Sequence, residues 1–564
     1  MLTKENLLLT VLGAVQKLNI EIPQGFGEKI SISYPEPKHG DYSANAALIL
    51  SKPAKMNPQE LAQKIIANIG VDYFDKMEIA GPGFINFFVK RDFLIAETNV
   101  IAEQGIVKPQ ARNKKVLVEY FQPNIAKPLH MGHLETAVIG DSIKRMLLYL
   151  GAKVESDTHM GDWGTQFGFL ILAYKKYGDL ETIKKDPVVE LNKLYIRINA
   201  EAETDPSIRE AAKQEFVKVE QGDSENLKIW KQTVDWSMEK FLKINDLVDI
   251  LPFDHHWPES FYEDKMPAVL DKLKLKGLLK GSQGAQIVNL EDQKLGVAIM
   301  VKSDGGTTYL LRDLATFLFV KAQGFEKHLY VVDNRQSHHY EQLFAILKLM
   351  GSMNDGEGIH IEYGFISFKG AALSARKGNM ILAEDVLNDA KNRVAAIIAE
   401  KNSDLPNKEE ASRIVAIGAL KYFILSHNRR SDIEFDWDEA LSFEGNSGPY
   451  LQYVHARLSS ILRKEKPSGK IAQVELTPNE RQIIFELTKF NDVIEESIKE
   501  YMPNVLANYL YQLASLINKF YHESPVLKET DLDKKNFRLN LVQASQKVLA
   551  QGLDLLGIKA LEEM

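Results

Sequence analysis

The sequence predicts a multidomain α/β protein with an open parallel sheet at its centre. Its 564 residues exceed the roughly 150 residues of a typical domain, so several structural units are expected. Strand–helix–strand segments occur in two places, and a charged, mostly helical stretch separates them. Such segments almost always close into a right-handed parallel unit. We therefore predict a small N-terminal α/β domain, a parallel-sheet domain with a helical insertion, and a C-terminal α-helical bundle.

The composition excludes a nonspecific nucleic-acid coating protein and any chemistry that depends on cysteine. Lys and Arg number 69 against 77 Asp and Glu, which gives a net charge of −8 at pH 7. A mildly acidic chain has no global positive field for coating nucleic acid, so any nucleic-acid contact must be local. The absence of cysteine excludes disulfides, cysteine-ligated zinc, iron–sulfur clusters and a thiolate nucleophile. This composition is typical of a cytoplasmic protein.

The N-terminal domain is predicted to cover residues 1–108. Its apolar segment 7–15 is short and lacks a small-residue cleavage site, which favours an amphipathic first helix over a signal sequence. No run of about 18 apolar residues occurs in the chain, so we predict no membrane-spanning segment. We also expect no membrane partner. The remaining predicted elements are a turn-rich stretch at 34–41, a helical stretch to about residue 69 and a strand at 84–89.

The parallel-sheet domain is predicted to cover residues 109–400, with the helical insertion at about 174–280. Gly151 ends the helical pattern that begins at His130, as a C-terminal glycine should. A connecting helical region at 401–440 and the bundle at 441–564, with a break near 464–470, follow the sheet. Strands are predicted at 114–120, 153–157, 327–332 and 361–368, and a further helix at 340–350.

His130 and His133 begin the helix that follows the first parallel strand. Spaced three apart, they share one face of the first turn. Gly132 leaves room for a flat group, and the N–H groups of the helix start favour anions. Two imidazoles here can donate to phosphate oxygens. The alternatives are a chance surface pair or a partial metal site, and the position after a parallel strand favours the phosphate role.

The usual phosphate-binding strings are absent. No G-x-x-x-x-G-K-[ST] occurs, and no G-x-G-x-x-G follows the first strand. The loop after the last predicted strand carries Ser374, Arg376 and Lys377. It is either a solvated turn or a basic loop that neutralises a leaving pyrophosphate across the split sheet.

Several motifs in the same order resemble the arginyl-tRNA synthetases, a family of class I aminoacyl-tRNA synthetases with a Rossmann-like catalytic domain. His130-Met-Gly-His133 is similar to the class signature His-Ile-Gly-His. The motifs closer to the arginine family are EYFQPNIAKPLH (119–130), GDWGTQ (161–166), YLLRD (309–313), VDNRQ (332–336) and EGNSGPYLQY (444–453), with HGDYSAN (39–45) and GPGFIN (81–86) in the N-terminal domain.

The resemblance implies a ligase that forms arginyl-adenylate and pyrophosphate from arginine and ATP, and then transfers arginine to the terminal adenosine of tRNA(Arg). ATP is implied as a substrate accompanied by Mg²⁺, with no tightly bound metal, and the protein as a monomer. A guanidinium with five donors needs several acceptors, which lysine would leave unpaired. The resemblance implies that Asp313, Tyr309 and Glu259 form the guanidinium pocket. It implies that Asn124 and Gln336, supported by Glu119, hold the amino and carboxylate end of arginine. The other implied arginine-binding residues are Gln122 and His133.

Three of these residues have structural alternatives. Asp313 could form a helix charge pair with Arg312, Tyr309 could be a core aromatic, and Glu119 could be an ordinary strand-end carboxylate. The implied ATP-binding residues are His130, Gly132, His133, Gly161, Asp162 and Trp163.

One motif departs from the class pattern. The Lys-Met-Ser-Lys-Ser loop corresponds here to residues 372–376, where both lysines are missing. The resemblance implies that Lys127, just before the histidine motif, compensates, and Arg376 and Lys377 remain rivals. The pairs His255–His256 and His338–His339 have no third ligand at a suitable spacing and are interpreted as non-metal residues.

The resemblance also implies tRNA contacts at both ends of the chain, with an anticodon-binding bundle at the C-terminus. Core packing remains the alternative for Tyr450 and Tyr453. The rival functions are a class I synthetase for another amino acid and a synthetase-like tRNA-binding protein without activity. The implied tRNA contacts are Tyr34, Lys38, His39, Tyr42, Asn45, Tyr450, Tyr453, His455 and Arg457.

Overall fold

The computed structural model describes residues 2–18, 20–109, 113–369, 381–402 and 404–564. The basic-loop residues Ser374, Arg376 and Lys377 lie outside the described residues. Among the helices described, none is both long and apolar enough to cross a lipid bilayer.

The N-terminal unit is an antiparallel sheet covered by helices. Its elements are α1 (Lys4–Gln16), α2 (Phe26–Lys29), β1 (Ile32–Ser33), β2 (Tyr42–Ala44), α3 (Ala46–Ala54), α4 (Pro58–Ala67), β3 (Phe74–Ala80), β4 (Phe84–Val89) and α5 (Arg91–Gln104). The strand order is β1-β2-β4-β3. The first helix and β4 are as predicted, but the helical stretch before residue 69 is two helices. They separate at Lys55, whose φ of +51° ends α3.

The first half of the parallel sheet matches its prediction within a residue or two. It consists of β5 (Lys115–Glu119), α6 (Met131–Tyr149), β6 (Lys153–Asp157) and α7 (Thr165–Tyr177). Gly151, with φ of +77°, follows the end of α6. Gly140 lets α6 lie directly on Tyr120, because a Cβ at residue 140 would come within 2.3 Å of the tyrosine ring.

The insertion is helical, as predicted, and it leads into a small antiparallel sheet that the sequence pattern does not predict. Its helices are α8 (Leu180–Ile183), α9 (Pro187–Thr204), α10 (Pro206–Glu220), α11 (Ser224–Leu247) and α12 (Met266–Leu275). The strands, in the order in which they pair, are β7 (Leu279–Ser282), β8 (Ala285–Asn289) and β9 (Val297–Val301).

The second half of the parallel sheet joins the first to form one sheet. Its elements are α13 (Tyr309–Ala322), β10 (Lys327–Asp333), α14 (Ser337–Leu349) and β11 (Gly358–Tyr363). The strand order is β11-β10-β5-β6, and each neighbouring pair is parallel. The prediction of one open sheet split by an insertion is therefore confirmed.

The prediction of a single strand at 361–368 is wrong. β11 ends at Tyr363, and β12 (Ile366–Phe368) pairs instead with β13 (Ile433–Phe435) in a separate two-stranded sheet. Between β11 and β12, Gly364 lies so close to the backbone of Ser431 that a Cβ would meet its carbonyl oxygen at 2.3 Å. The chain therefore leaves the parallel sheet at this glycine.

The rest of the chain is mainly helical. Its helices are α15 (Ala383–Lys401), α16 (Lys408–Ser426), α17 (Trp437–Ala440), α18 (Gly448–Lys464), α19 (Pro478–Thr488), α20 (Phe490–Lys499), α21 (Pro503–Glu523) and α22 (Leu532–Leu555). The predicted break is the segment that follows α18. One hydrophobic core runs from the N-terminal unit through α6 to these helices, and a second lies between α12, α13, α14 and the antiparallel sheet.

Candidate active site

A cavity of about 1070 Å³ opens at the carboxyl ends of the parallel strands. This is the edge at which open α/β sheets bind their ligands. The structure brings together there most of the site residues that the sequence predicts. They are Glu119, Gln122, Asn124, His130, Gly132, His133, Gly161, Glu259, Tyr309, Asp313 and Gln336.

The imidazoles of His130 and His133 lie side by side at the start of α6, with ring centroids 3.8 Å apart. The backbone N–H of His130 donates to Nδ1 of His133 at 3.1 Å, so a neutral His133 ring carries its proton on Nε2. Burial lowers the pKa of both rings, and the charges of His130 and Lys127 help to lower that of His133 to about 3. His133 is therefore a neutral N–H donor near pH 7.

Glu119 is a buried carboxylate between two histidines. Its Oε2 accepts from Nε2 of His328 at 2.9 Å and lies 3.9 Å from Nδ1 of His159. Gln122 donates to Oε1 at 3.3 Å. Burial opposes ionisation, but His159 and His328 hold the pKa of Glu119 below its usual value. Glu119 is thus both the end of β5 and an ionised group that faces the cavity.

Asp313 and Tyr309 lie on the first turns of α13. Oδ2 of Asp313 is 2.6 Å from Nε2 of His339, and Oδ1 is 3.8 Å from Nε2 of His159. Tyr309 is 63% exposed, and its ring centroid lies 5.0 Å from that of His339. The alternative of a core role for Tyr309 is therefore wrong.

Arg312 points away from Asp313. It contacts Glu259 at 3.4 Å and Glu263 at 2.8 Å, both on a 3-10 helix at Glu259–Lys265. The alternative of an Arg312–Asp313 charge pair is therefore wrong. Burial raises the pKa of Glu259 to about 7 although Arg312 lowers it.

The loops after β5 and β6 touch through Asn124 and Gly161, whose backbones form a parallel bridge. A Cβ at Gly161 would meet Oδ1 of Asn124 at 2.4 Å, so the Asn124 side chain occupies the space that a larger residue would need. Gln336 reaches the same cavity from the start of α14.

Asp162 and Trp163 are not brought to the cavity, which is at odds with the prediction that they bind ATP. Asp162 is buried and accepts from the N–H and the hydroxyl of Ser260 at 2.8 and 2.6 Å. Trp163 packs edge-on against Phe216 and Trp230. Both side chains are used to anchor the loop that carries Gly161.

Lys127 is half-buried just outside the residues that line the cavity. Its Nζ lies 5.7 Å from the ring centroid of Tyr195. Its charge helps to lower the pKa of His133, which is consistent with a position near the phosphate-binding end of the site.

The predicted tRNA contacts of the N-terminal unit differ in exposure. Lys38 and His39 are exposed, whereas Asn45 is half-buried and accepts from a backbone N–H at 2.8 Å. The prediction for Tyr42 is wrong, because this side chain is 1% exposed and donates to the carbonyl of residue 2. Tyr34 donates to Asp492 of the C-terminal helices, so its hydroxyl is also used within the protein.

The predicted tRNA contacts of the C-terminal helices also differ in exposure. Tyr450 and His455 are buried, and Nδ1 of His455 lies 2.8 Å from a backbone carbonyl, so the prediction that they contact tRNA is wrong. Tyr453 is half-buried, so the core alternative does not fully apply to it. The guanidinium of half-buried Arg457 lies 4.4 Å from the ring of Tyr453 and 4.9 Å from that of Tyr521. Tyr521 is a candidate contact that the sequence analysis misses.

The sequence motifs do not reveal several other titratable residues of the site, among them Asp157, His159 and His328. A signal for Asp157 exists, because β5 and β6 both end in an acid and Glu119 pairs with Asp157 in their register. Glu119, Asp157 and His159 place ligand atoms within 4.8 Å of one another. The Glu119 oxygen already accepts from His328, and Asp157 accepts from the N–H of Trp257 at 2.8 Å. We therefore interpret the three as an ion-pair cluster.

Family models match three parts of the chain. A family model described as "tRNA synthetases class I (R), catalytic domain" matches residues 97–437. Models described as "Arginyl tRNA synthetase N terminal domain" and "DALR anticodon binding domain" match residues 7–89 and 451–564.

Relatives that match nearly the whole chain belong to the same family as these models. Proteins named arginine–tRNA ligase from Alkaliphilus metalliredigens and Clostridium kluyveri are 40% and 39% identical, over 94% and 97% of this chain and 94% and 98% of theirs. The solved Thermus thermophilus arginyl-tRNA synthetase superposes with a TM-score of 0.85 at 28% identity, with both chains fully covered. The chain therefore belongs to the arginyl-tRNA synthetases, a family of class I tRNA synthetases.

Proposed function

We propose that the cavity activates L-arginine with ATP and then transfers the arginyl group to the 3′-terminal adenosine of tRNA(Arg). The observation that carries this proposal is the presence of two acids, Glu119 and Asp313, in the same cavity as His130 and His133. One end of the cavity suits a guanidinium and the other suits phosphate.

Asp313 binds the guanidinium of arginine, with Tyr309 and Glu259 beside it. We assign Glu119 to the guanidinium as well, and not to the amino end as the resemblance implies, because Glu119 and Asp313 lie 3.9 and 3.8 Å from the same His159 ring. Charge-assisted hydrogen bonds to carboxylates suit the five donors of a guanidinium, whereas the point charge of lysine leaves acceptors unpaired. Asn124 and Gln336 hold the amino and carboxylate end. Arginine is thereby oriented with its carboxylate toward the ATP.

In the first step a carboxylate oxygen of arginine attacks the α-phosphorus of ATP, and the bond to the pyrophosphate oxygen breaks. ATP enters as its Mg²⁺ complex. Catalysis is mainly positioning and charge stabilisation. The neutral imidazoles of His130 and His133 donate to phosphate oxygens, and Lys127 supplies positive charge, with Arg376 and Lys377 as rivals for that role. In the second step a terminal ribose hydroxyl of the tRNA attacks the arginyl carbonyl and releases AMP.

The tRNA contacts both ends of the chain. Lys38 and His39 of residues 1–108 and the Tyr453–Arg457–Tyr521 group of residues 441–564 offer exposed or half-buried cations and rings, which are suited to phosphates and splayed bases. The sheet domain at 109–400 and the connecting region at 401–440 lie between these ends in the sequence. We propose that the enzyme acts as a cytoplasmic monomer.

Arginine-dependent exchange of pyrophosphate into ATP tests the function directly. We expect exchange with arginine alone among a panel of amino acids, measured with and without tRNA(Arg). Exchange with another amino acid would assign the chain a different substrate. Folded protein that binds tRNA but shows no exchange under any condition would favour a binding protein without activity.

A further inference from the structure

His159 lies buried among the acids of the proposed guanidinium site. It follows β6, and its side chain is 10% exposed. Its Nδ1 lies 3.9 Å from Oε2 of Glu119 and its Nε2 lies 3.8 Å from Oδ1 of Asp313. Both distances are too long for hydrogen bonds. Among the described residues, Nδ1 of His159 has no hydrogen-bond partner.

Titratable groups face His159 from four structural elements. Glu119 faces it from β5, Asp157 from β6, Asp313 from α13 and Glu259 from the 3-10 helix; Tyr262, of the same helix, has its ring centroid 5.5 Å from that of His159. Three of these acids also contact a basic side chain. His328 contacts Glu119, His339 contacts Asp313, and Arg312 contacts Glu259.

The electrostatic balance at His159 favours its charged form. Burial disfavours an imidazolium, but Glu119, Asp313, Asp157 and Glu259 together raise the pKa of His159 above its usual value. The guanidinium of arginine, bound by Glu119 and Asp313, would stand close to this imidazolium. Like charges at short distance in a buried site disfavour each other's charged form, and a guanidinium does not lose its proton.

We propose that in the empty site protonated His159 neutralises the acids that later bind arginine, and that it releases its proton to solvent when the guanidinium enters. His159 is then a positioning residue, and the guanidinium of arginine replaces the positive charge that its imidazolium supplies to the acids. The inference rests on the proposed function, because it assumes that arginine binds between Glu119 and Asp313. The direction of the pH effect follows. Protonated His159 competes with the substrate, so arginine binding weakens as the pH falls.

Calorimetric titration of the full-length protein with L-arginine tests this exchange. Titrations in pairs of buffers with different ionisation enthalpies, from about pH 6 to about pH 8.5, count the protons released on binding. We expect at least about one proton per arginine on the acid side, with the Kd rising about tenfold per unit fall in pH. In H159Q the release should decrease by close to one proton. The matched control is H338Q, since His338 is a 65% exposed histidine on α14 and should behave as in the wild type.

Three results separate the possible failures. Arginine binding without proton release, or with undiminished release in H159Q, overturns the inference and leaves the proposed function intact. Absence of arginine binding with and without tRNA overturns the proposed function itself. If H159Q does not fold, the ring ¹⁵N chemical shifts of His159 in the wild-type protein replace it. A ring that is protonated without arginine and neutral with bound arginine supports the exchange, and a ring whose protonation does not change overturns it.

Discussion

At the scale of single residues, each of three acids around the cavity has a basic partner. Glu119 contacts His328, Asp313 contacts His339, and Glu259 contacts Arg312. A buried carboxylate without a partner would be strongly destabilising, so these bases allow the site to exist before substrate arrives. Histidine contacts leave acceptor capacity on the same carboxylates for a guanidinium. The acids therefore keep oxygen atoms that can accept hydrogen bonds from a bound cation.

Lys127 provides a residue-scale test of the phosphate end of the site. The substitution Lys127→Ala should lower the rate of arginine activation by about 10²–10³-fold, because a positive charge near the transferring phosphate acts mainly in the transition state. The KM for arginine should change by less than about threefold, since the lysine lies outside the guanidinium site. Single-turnover adenylate formation measures the first effect and exchange kinetics the second.

The control for Lys127 is Lys193→Ala, which removes a 64% exposed lysine of α9 that pairs with Glu190. This variant should keep the wild-type rate. An unchanged rate in Lys127→Ala would remove Lys127 from the mechanism and leave Arg376 and Lys377 as the remaining candidates.

At the scale of elements, α6 connects the phosphate end of the site to the rest of the molecule. Its first turn carries His130 and His133, and its middle lies on β5 through Gly140 and Tyr120. Farther along, Ser142 donates to the carbonyl of Leu555 at the end of α22. The position of the two histidines therefore depends on how closely α6 packs on the sheet.

The elements also show what sequence reasoning can and cannot predict. Long, apolar and sharply ended elements such as α6, with Gly151 after it, are predicted nearly to the residue. The hairpin between β7 and β8 is missed, although Gln283 and Gly284 both have the positive φ of a tight turn and the glycine is a usable signal. The pairing of β12 with β13 is not predictable from local pattern, because it joins segments about 67 residues apart.

In the site too, residues placed by local sequence are predictable and residues placed by long-range packing are not. Motif residues near a strand end, such as Asn124 and His130, are predicted to lie at the cavity and do. Asp162 and Trp163 belong to an equally distinctive motif, but packing around the insertion turns their side chains inward. His159 and His328 could not be assigned from spacing, since their roles depend on which strands become neighbours.

Gly140→Ala tests the contact between α6 and the sheet. The new Cβ would lie within 2.3 Å of the Tyr120 ring, and this ring is fully buried, so the helix must shift outward. We expect a loss of about 2–3 kcal/mol in the free energy of unfolding. The urea midpoint measures the stability, and pyrophosphate exchange measures the displacement of the histidines.

The matched control is Gly13→Ala in α1. A Cβ at Gly13 meets no atom within 4 Å, so alanine should stabilise the helix by about 0.5–1 kcal/mol and leave exchange unchanged. Wild-type stability and activity in Gly140→Ala would show that the close packing of α6 on Tyr120 does not position the histidines.

At the scale of the whole molecule, the two ends of the chain pack against each other. Helix α5 lies against α22, and Asn99 donates to the carbonyl of Ile471 at 2.8 Å. Asp492 of α20 accepts from the backbone of Lys4 and from Tyr34. The proposed tRNA contacts at the two ends are therefore parts of one packed body.

Arg481 and Asp41 form an ion pair between these units. The guanidinium of Arg481, on α19, makes two parallel hydrogen bonds to Asp41 of the N-terminal unit, at 2.9 and 2.7 Å. Asp41 is 6% exposed and Arg481 38%. Arg481→Ala should lower the free energy of unfolding by about 1–3 kcal/mol, because it leaves a nearly buried carboxylate without its cation. The urea midpoint and the rate of proteolysis between α5 and β5 measure this loss.

A double-mutant cycle with Asp41→Ala separates the ion pair from other effects of the substitutions. The two changes should be strongly non-additive, since removing the carboxylate also removes the cost of leaving it unpaired. Lys243→Ala, which breaks an ion pair with Glu239 in which both partners are more than 60% exposed, should cost less than about 0.5 kcal/mol. If the Asp41 and Arg481 effects simply add, the other contacts between the units, such as those of Asn99 and Asp492, hold the N-terminal unit without this pair. In that case the pair contributes no coupling between the two proposed tRNA-binding ends.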